Sequence, residues 1–219
     1  MVCIIDYGIG NLRSMEKALE AVGATVVRSD KAEDIMRADR VVLPGVGAFG
    51  ACADEIRRRN LVPTIHQAVA SGKPFLGVCV GMQLLFDVGE EMGEHQGLGI
   101  MPGRVVRFKH AYQPAMVAAG DAPVVPEKPL KIPHMGWNVA TPRHPSPLLE
   151  GLGENAYFYF VHSYHAAVED PDDILADTMY GINFPAMVQR NNVFGVQFHP
   201  EKSHDNGLLV LKNFAHLSI

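Results

Sequence analysis

The chain has 219 residues, 47% of them hydrophobic and 20% charged, with a formal net charge of −5. That is enough to bury one α/β core, and it excludes a disordered chain; the longest run of cations, Arg57-Arg58-Arg59, is expected on a solvated helix face, so no nucleic-acid partner is predicted. With three widely spaced cysteines and no CxxC pair, neither a disulfide framework nor a zinc site is expected, and with no basic leader or long apolar run in the first stretch MVCIIDYGIG, a cytoplasmic protein without metal is expected.

In chain order, residues 2–6 read as a buried strand. Asn11 is placed to cap a helix carrying Leu12, Met15, Leu19 and Val22 on one face, with Gly23 as its stop. Strands are expected at 25–27 and 40–43, the latter ended by Pro44-Gly45-Val46-Gly47. A helical pattern covers 51–70 with a break at Pro63, a strand covers 74–79, and a new helix starts near Gly81 with Met82, Leu85 and Phe86 at helical spacing. Continuously apolar strands alternating with helices predict a mostly parallel sheet covered on both faces. The second half differs. Segments 103–108, 131–139, 156–167, 173–180, 186–190 and 193–198 read as strands with short connections, Asn191-Asn192 as a hairpin turn, and 205–217 as an amphipathic helix with Leu208, Leu211 and Phe214 inward. Antiparallel strands thus either extend the first sheet or form a second one. Residues 111–130 read as an exposed loop or insertion, and the whole of 1–219 as one domain.

The stretch KPFLGVCVGMQLLF joins strand to helix through Gly-x-Cys-x-Gly, the form of a nucleophile elbow, whose tight turn leaves the central residue on a strained backbone. A buried free cysteine beside packing glycines is the plainer alternative. A nucleophilic thiol needs a base, and the base an orienting group. In GVQFHPEKS, His199 and Glu201 stand two apart at a strand end, so in extended backbone they point to one side and Glu201 could orient His199 towards Cys79. A capping histidine and a solvated glutamate would look the same. His162 and His165, three apart in an expected strand, should face opposite sides. The glycines of Pro44-Gly45-Val46-Gly47 leave backbone N–H groups open to a developing oxyanion, although the segment would also serve as a plain turn.

GVCVGMQLLF, followed 120 residues later by HPEKS, resembles the class I, triad-type glutamine amidotransferases. Together with IIDYGIGNLRS, LPGVGAFG and HMGWN it is similar, over nearly the whole length, to one branch of that family, the glutaminase subunits of imidazole glycerol phosphate synthase. The resemblance implies Cys79 as the nucleophile on the glutamine side-chain amide, His199 as base and later acid, and Glu201 as its orienting group. It implies an oxyanion hole from the Val80 N–H and one N–H between Gly45 and Gly47, glutamine contacts from Gln83, Ser163 and Tyr164, and no cofactor. The implied partner is a (β/α)₈-barrel synthase that receives the ammonia, forms imidazole glycerol phosphate and the purine-pathway carboxamide ribotide, and makes a heterodimer through Asn11, Trp137, Asn138 and Lys202. Two departures stand out: 110–130 is longer than usual for the family, and GVCVG carries valines where Ile and Leu are common. Another class I glutaminase, for instance one serving pyridoxal phosphate synthesis, a binding subunit without turnover, and a cysteine hydrolase acting on peptide or γ-glutamyl bonds are the competing readings.

Overall fold

Five short strands made almost wholly of apolar side chains carry the centre of the molecule: β1 (Val2–Ile5), β2 (Val26–Ser29), β3 (Arg40–Leu43), β4 (Phe75–Val78) and, from the far end of the chain, β14 (Val193–Val196). In the computed structural model, which describes residues 1–108 and 130–217, they run parallel in the order β2-β1-β3-β4-β14. β1, β3, β4 and β14 are apolar and buried on both faces because helices lie on each side. These are α1 (Leu12–Ala21), α2 (Ala32–Arg37), α3 (Phe49–Arg58), α4 (Val62–Ala70), the single turn α5 (Val80–Gln83) and α6 (His204–His216). No helix among the described residues is long and apolar enough to cross a membrane.

Both expected uses of the antiparallel strands occur. β13 (Ile182–Arg190), β12 (Ile174–Tyr180) and the short β9 (Thr141–Pro142) continue the main sheet beyond β14. β8 (His134–Val139) pairs with β10 (Tyr157–His162) in a separate ribbon. β11 (Tyr164–Val168), β7 (Gly103–Arg107), β5 (Val88–Gly89) and β6 (His95–Gln96) form a third, four-stranded sheet. The β13–β14 hairpin turns at Asn191 and Asn192 with Asn191 at φ 54°, and the Asn192 amide donates to the Lys73 carbonyl at 2.8 Å, which fastens the turn to the entry of β4.

Several boundaries differ from the sequence reading, each for a local reason. The 51–70 helix is two helices, because Asn60 adopts φ 54° and Pro63 occupies the first turn of the second. Asn11 sits at the N-cap of α1 but its side chain makes no capping bond. The 156–167 strand is two, broken at Ser163, where the chain leaves the ribbon for the four-stranded sheet. His162 and His165 consequently lie on neighbouring strands and both pack on Phe108, at ring distances of 5.3 and 4.7 Å, instead of facing opposite sides. The 131–139 strand begins at His134, and the 186–190 strand begins earlier, at Ile182. The helix expected beyond Gly81 stops after one turn. The carbonyls of Leu84, Leu85 and Phe86 accept instead from the N–H groups of Leu98, Ile100 and Gly99, at 2.8, 2.8 and 3.2 Å. In α6, Leu211 and Phe214 are fully buried and Leu208 partly so. The expected insertion at 111–130 lies outside the described residues except for Leu130.

Candidate active site

The register of the sheet decides where the chemistry can sit. Leu43 of β3 and Gly195 of β14 both align with Gly77 of β4, so three strands end side by side. The segments that follow them, Pro44–Gly47, Cys79–Val80 and Gln197–Glu201, emerge together at the carboxyl edge of the sheet, the usual ligand position in open α/β sheets.

Cys79 occupies the turn between β4 and α5 with φ 55° and ψ −112°, a conformation that costs a non-glycine residue roughly 1–3 kcal/mol. The flanking glycines make the turn possible. A side chain on Gly77 would place Cβ 2.6 Å from the Gly81 carbonyl oxygen, one on Gly45 would place it 2.5 Å from the Gly81 nitrogen, and one on Gly81 would run into the Leu43 carbonyl oxygen. The loop after β3 therefore rests directly on the turn after β4, backbone against backbone.

Alternation along a strand is not what joins His199 to Glu201. β14 ends at Val196, the chain bends through Gln197 and Phe198, and Glu201 lies in a 3₁₀ turn spanning Pro200–Lys202. The turn folds the carboxylate back so that Oε1 lies 2.9 Å from His199 Nδ1, with 4% and 1% of the two side chains exposed. Asn11 Nδ2 donates to the same Oε1 at 3.3 Å. Burial alone would depress the His199 imidazole, but hydrogen bonds and charge from Cys79 and then Glu201 outweigh it and push the group up to about 10. The imidazolium that forms when His199 takes a proton from the thiol is thus favoured by its surroundings. The helix that follows Cys79 is a single turn and offers only a small dipole at its N-terminus.

A cleft of about 590 Å³ opens over the thiol. Cys79, His199, Val80 and Gln83 line it from the sheet edge, Val46 and Gly47 from the loop after β3, and Ser163 and Tyr164 from the corner between β10 and β11. Gly45 does not reach it and is buried against Gly81. The Gln83 amide is already committed, donating to the Tyr164 carbonyl at 3.1 Å and to Gln197 Oε1 at 3.0 Å. Gln197 in turn places its amide nitrogen 3.9 Å from Cys79 Sγ.

Other residues join the site without having been legible in the sequence. Glu91 lines the cleft and fixes the loop by accepting from the Phe49 N–H at 2.7 Å. From below, the Tyr7 hydroxyl donates to the Pro44 carbonyl at 2.8 Å and the Cys52 thiol to the Val46 carbonyl at 3.4 Å, so two carbonyls of the loop are anchored in the core. Tyr7 lies two residues past the end of β1, the one positional hint; Glu91 and Cys52 carry no pattern that would mark them. Cys3 and Cys52 are fully buried free thiols, and burial pushes Cys3 up to about 11.

The four residues expected on a partner face split into two sets. Trp137 is 46% exposed on the outer face of β8, stacked on His204 at 5.0 Å, and lies near exposed Met135 on the same strand. Lys202 stands over the Tyr159 ring at 6.0 Å and reaches the cleft as well. Asn11 and Asn138 instead turn inward. Asn138 Nδ2 donates to the Met179 carbonyl at 2.9 Å and lies 3.3 Å from His134 Nε2.

A family model described as glutamine amidotransferase class-I matches residues 3–217. The chain is 59% identical to a protein of Salinibacter ruber named imidazole glycerol phosphate synthase subunit HisH, over 99% of this chain and 94% of that one. It is 49% identical to a protein of the same name from Desulfitobacterium hafniense, over 98% and 93%. Among solved structures, a glutamine amidotransferase superposes with a TM-score of 0.71 at 19% identity, covering 99% of both chains, a likeness of fold.

Proposed function

The chain belongs to the class-I glutamine amidotransferase family, and on that premise we propose that it is the glutaminase subunit of an imidazole glycerol phosphate synthase. It acts in histidine biosynthesis as one domain, and releases ammonia from glutamine for a (β/α)₈-barrel partner in the cytoplasm. The observation that carries the reading is the meeting of a thiol on a strained turn, φ 55°, with a buried imidazole held by a carboxylate at 2.9 Å.

Cys79 Sγ, its proton passed to His199, attacks the side-chain amide carbon of glutamine. The carbonyl oxygen becomes an oxyanion, held by the Val80 N–H and by an N–H of the Val46–Gly47 segment. His199 then returns the proton to the nitrogen, ammonia leaves, and a thioester remains on Cys79. Water attacks that thioester with His199 taking its proton, and glutamate and the free thiol result. Glu201 keeps the imidazole oriented and compensates its charge. Glu91 supplies the carboxylate suited to the α-ammonium of the substrate, and the Ser163–Tyr164 corner faces its amino-acid end. The exposed apolar side chains Met135 and Trp137, with Lys202 beside them, form the docking face for the barrel.

Cys79→Ser is the test. A serine hydroxyl beside the same base is far less ionised than a thiol, so glutamine hydrolysis should vanish while synthesis from added ammonia by the complex persists. Substantial glutaminase activity in that variant would remove Cys79 from the mechanism; failure of a barrel partner to accept ammonia would leave a glutaminase that serves another acceptor.

A further inference from the structure

Behind the cleft lies a run of polar side chains that the hydrolysis just described does not use. His134 on β8 and His162 on β10 are 2% and 6% exposed, in an aromatic nest of Phe108, Phe160 and Phe184. Their rings meet at 3.0 Å, His134 Nδ1 to His162 Nε2. The other nitrogen of His162, Nδ1, lies 2.8 Å from the Tyr164 carbonyl oxygen, which can only accept. His162 Nδ1 therefore carries the proton and Nε2 is bare. Nε2 must then accept from His134 Nδ1, which leaves His134 Nε2 bare to accept from Asn138 Nδ2 at 3.3 Å. One carbonyl at the end of the line thus sets both tautomers, and every bond runs in the same direction. Protonating either ring would set a donor against a donor, and burial favours the neutral forms, pushing His134 down to about 4 and His162 to about 3.

The Tyr164 carbonyl is shared. It also accepts from Gln83 Nε2 at 3.1 Å, and Gln83 continues through Gln197 to the nucleophile. The line begins at β8, where alternation puts His134 and Asn138 on the inner face and Met135 and Trp137 on the outer one. The geometry points to His134 and His162 as positioning residues for glutamine hydrolysis: as neutral imidazoles of fixed tautomer they hold the Ser163–Tyr164 corner against Gln83, and connect the seat of the substrate to the inner face of β8. This rests on glutamine binding in the cleft over Cys79. The ribbon and the four-stranded sheet meet at that corner without a continuous strand, so the hydrogen-bonded line supplies the stiffness that strand pairing does not.

The test compares glutamine-dependent with ammonia-dependent synthesis by the complex with its synthase partner. His162→Phe keeps an aromatic ring in the nest and removes both bonds; His134→Ala removes the link; His134→Asn puts an amide N–H near the place of Nδ1. His162→Phe and His134→Ala should raise KM for glutamine about tenfold, the scale of one well-made hydrogen bond, with kcat changed less. Ammonia-dependent rates should not move, and His134→Asn should recover most of the loss. Independently of any variant, ¹⁵N spectra of the wild-type complex should show both imidazoles neutral and protonated on Nδ1 at pH 7. Wild-type KM and kcat in both variants, or a His162 ring protonated on Nε2, would overturn the assignment. Absence of glutamine turnover in the wild type would instead count against the proposed function.

Discussion

At the residue scale, the balance around His199 is the feature most open to measurement. Its imidazole is buried, which works against a charge, yet it is pushed up to about 10 because Cys79 and Glu201 favour the charged form. Glu201→Gln keeps an acceptor oxygen and removes the negative charge. Burial then counts for more, the imidazolium loses its proton more readily, and the alkaline limb of kcat/KM for glutamine should move to lower pH, as an apparent value of the Cys79–His199 pair. His199→Ala should cost several orders of magnitude in kcat, and the double variant should be little worse than His199→Ala, because residues acting as a unit are not additive. An alkaline limb that stays in place, or losses that add, would show that the two side chains do not act together.

At the element scale, the turn after β4 depends on backbone passing over backbone. A methyl group on Gly81 meets the Leu43 carbonyl oxygen, which belongs to a buried strand and cannot withdraw. Gly72 makes a fair control: it has φ 83° and open space around it, so alanine there meets only the left-handed backbone cost of roughly 1–2 kcal/mol. Gly81→Ala should cost more than Gly72→Ala, about 3 kcal/mol or above, and should distort the cleft. Urea midpoints at equal slope give the comparison; an equal loss in the two variants would mean that the loop after β3 is not held in close contact. A different contact ends α5 after one turn. The carbonyls of Leu84, Leu85 and Phe86, which a longer helix would use, are taken by the 98–100 segment.

At the scale of the whole molecule, the strand ends gather the reacting groups on one edge, and the outer ribbon offers a surface beside them. Trp137 is the anchor expected of that surface, since half-exposed aromatics dominate binding energy at interfaces. Trp137→Ala should weaken binding of the proposed barrel partner by roughly 30-fold, equivalent to about 2 kcal/mol, and leave the melting temperature of the isolated chain within a few degrees. Calorimetry of the isolated chain and a binding titration separate the two effects. A large fall in Tm would make the stack on His204 structural.

The sequence by itself determined the apolar strands, the glycines around Cys79 and the identity of the His199–Glu201 pair, because each is a property of a few neighbouring residues. The parallel run of the first strands and the place of Cys79 at the end of its strand followed from the alternation of strands and helices, whereas the strand order, with β14 beside β4, did not. What only the tertiary structure decided were contacts between distant segments. His199 and Glu201 meet through a 3₁₀ turn and not along a strand; Ser163 breaks one expected strand in two and so brings His162 and His165 onto one aromatic cluster; Asn11 and Asn138 turn inward to partners. Glu91, Tyr7 and Cys52 became visible only where the loop after β3 lies across them. None of these is encoded in spacing, because a buried donor takes whichever acceptor the packing of remote elements brings within reach, and for His134 that acceptor is 28 residues away on another strand.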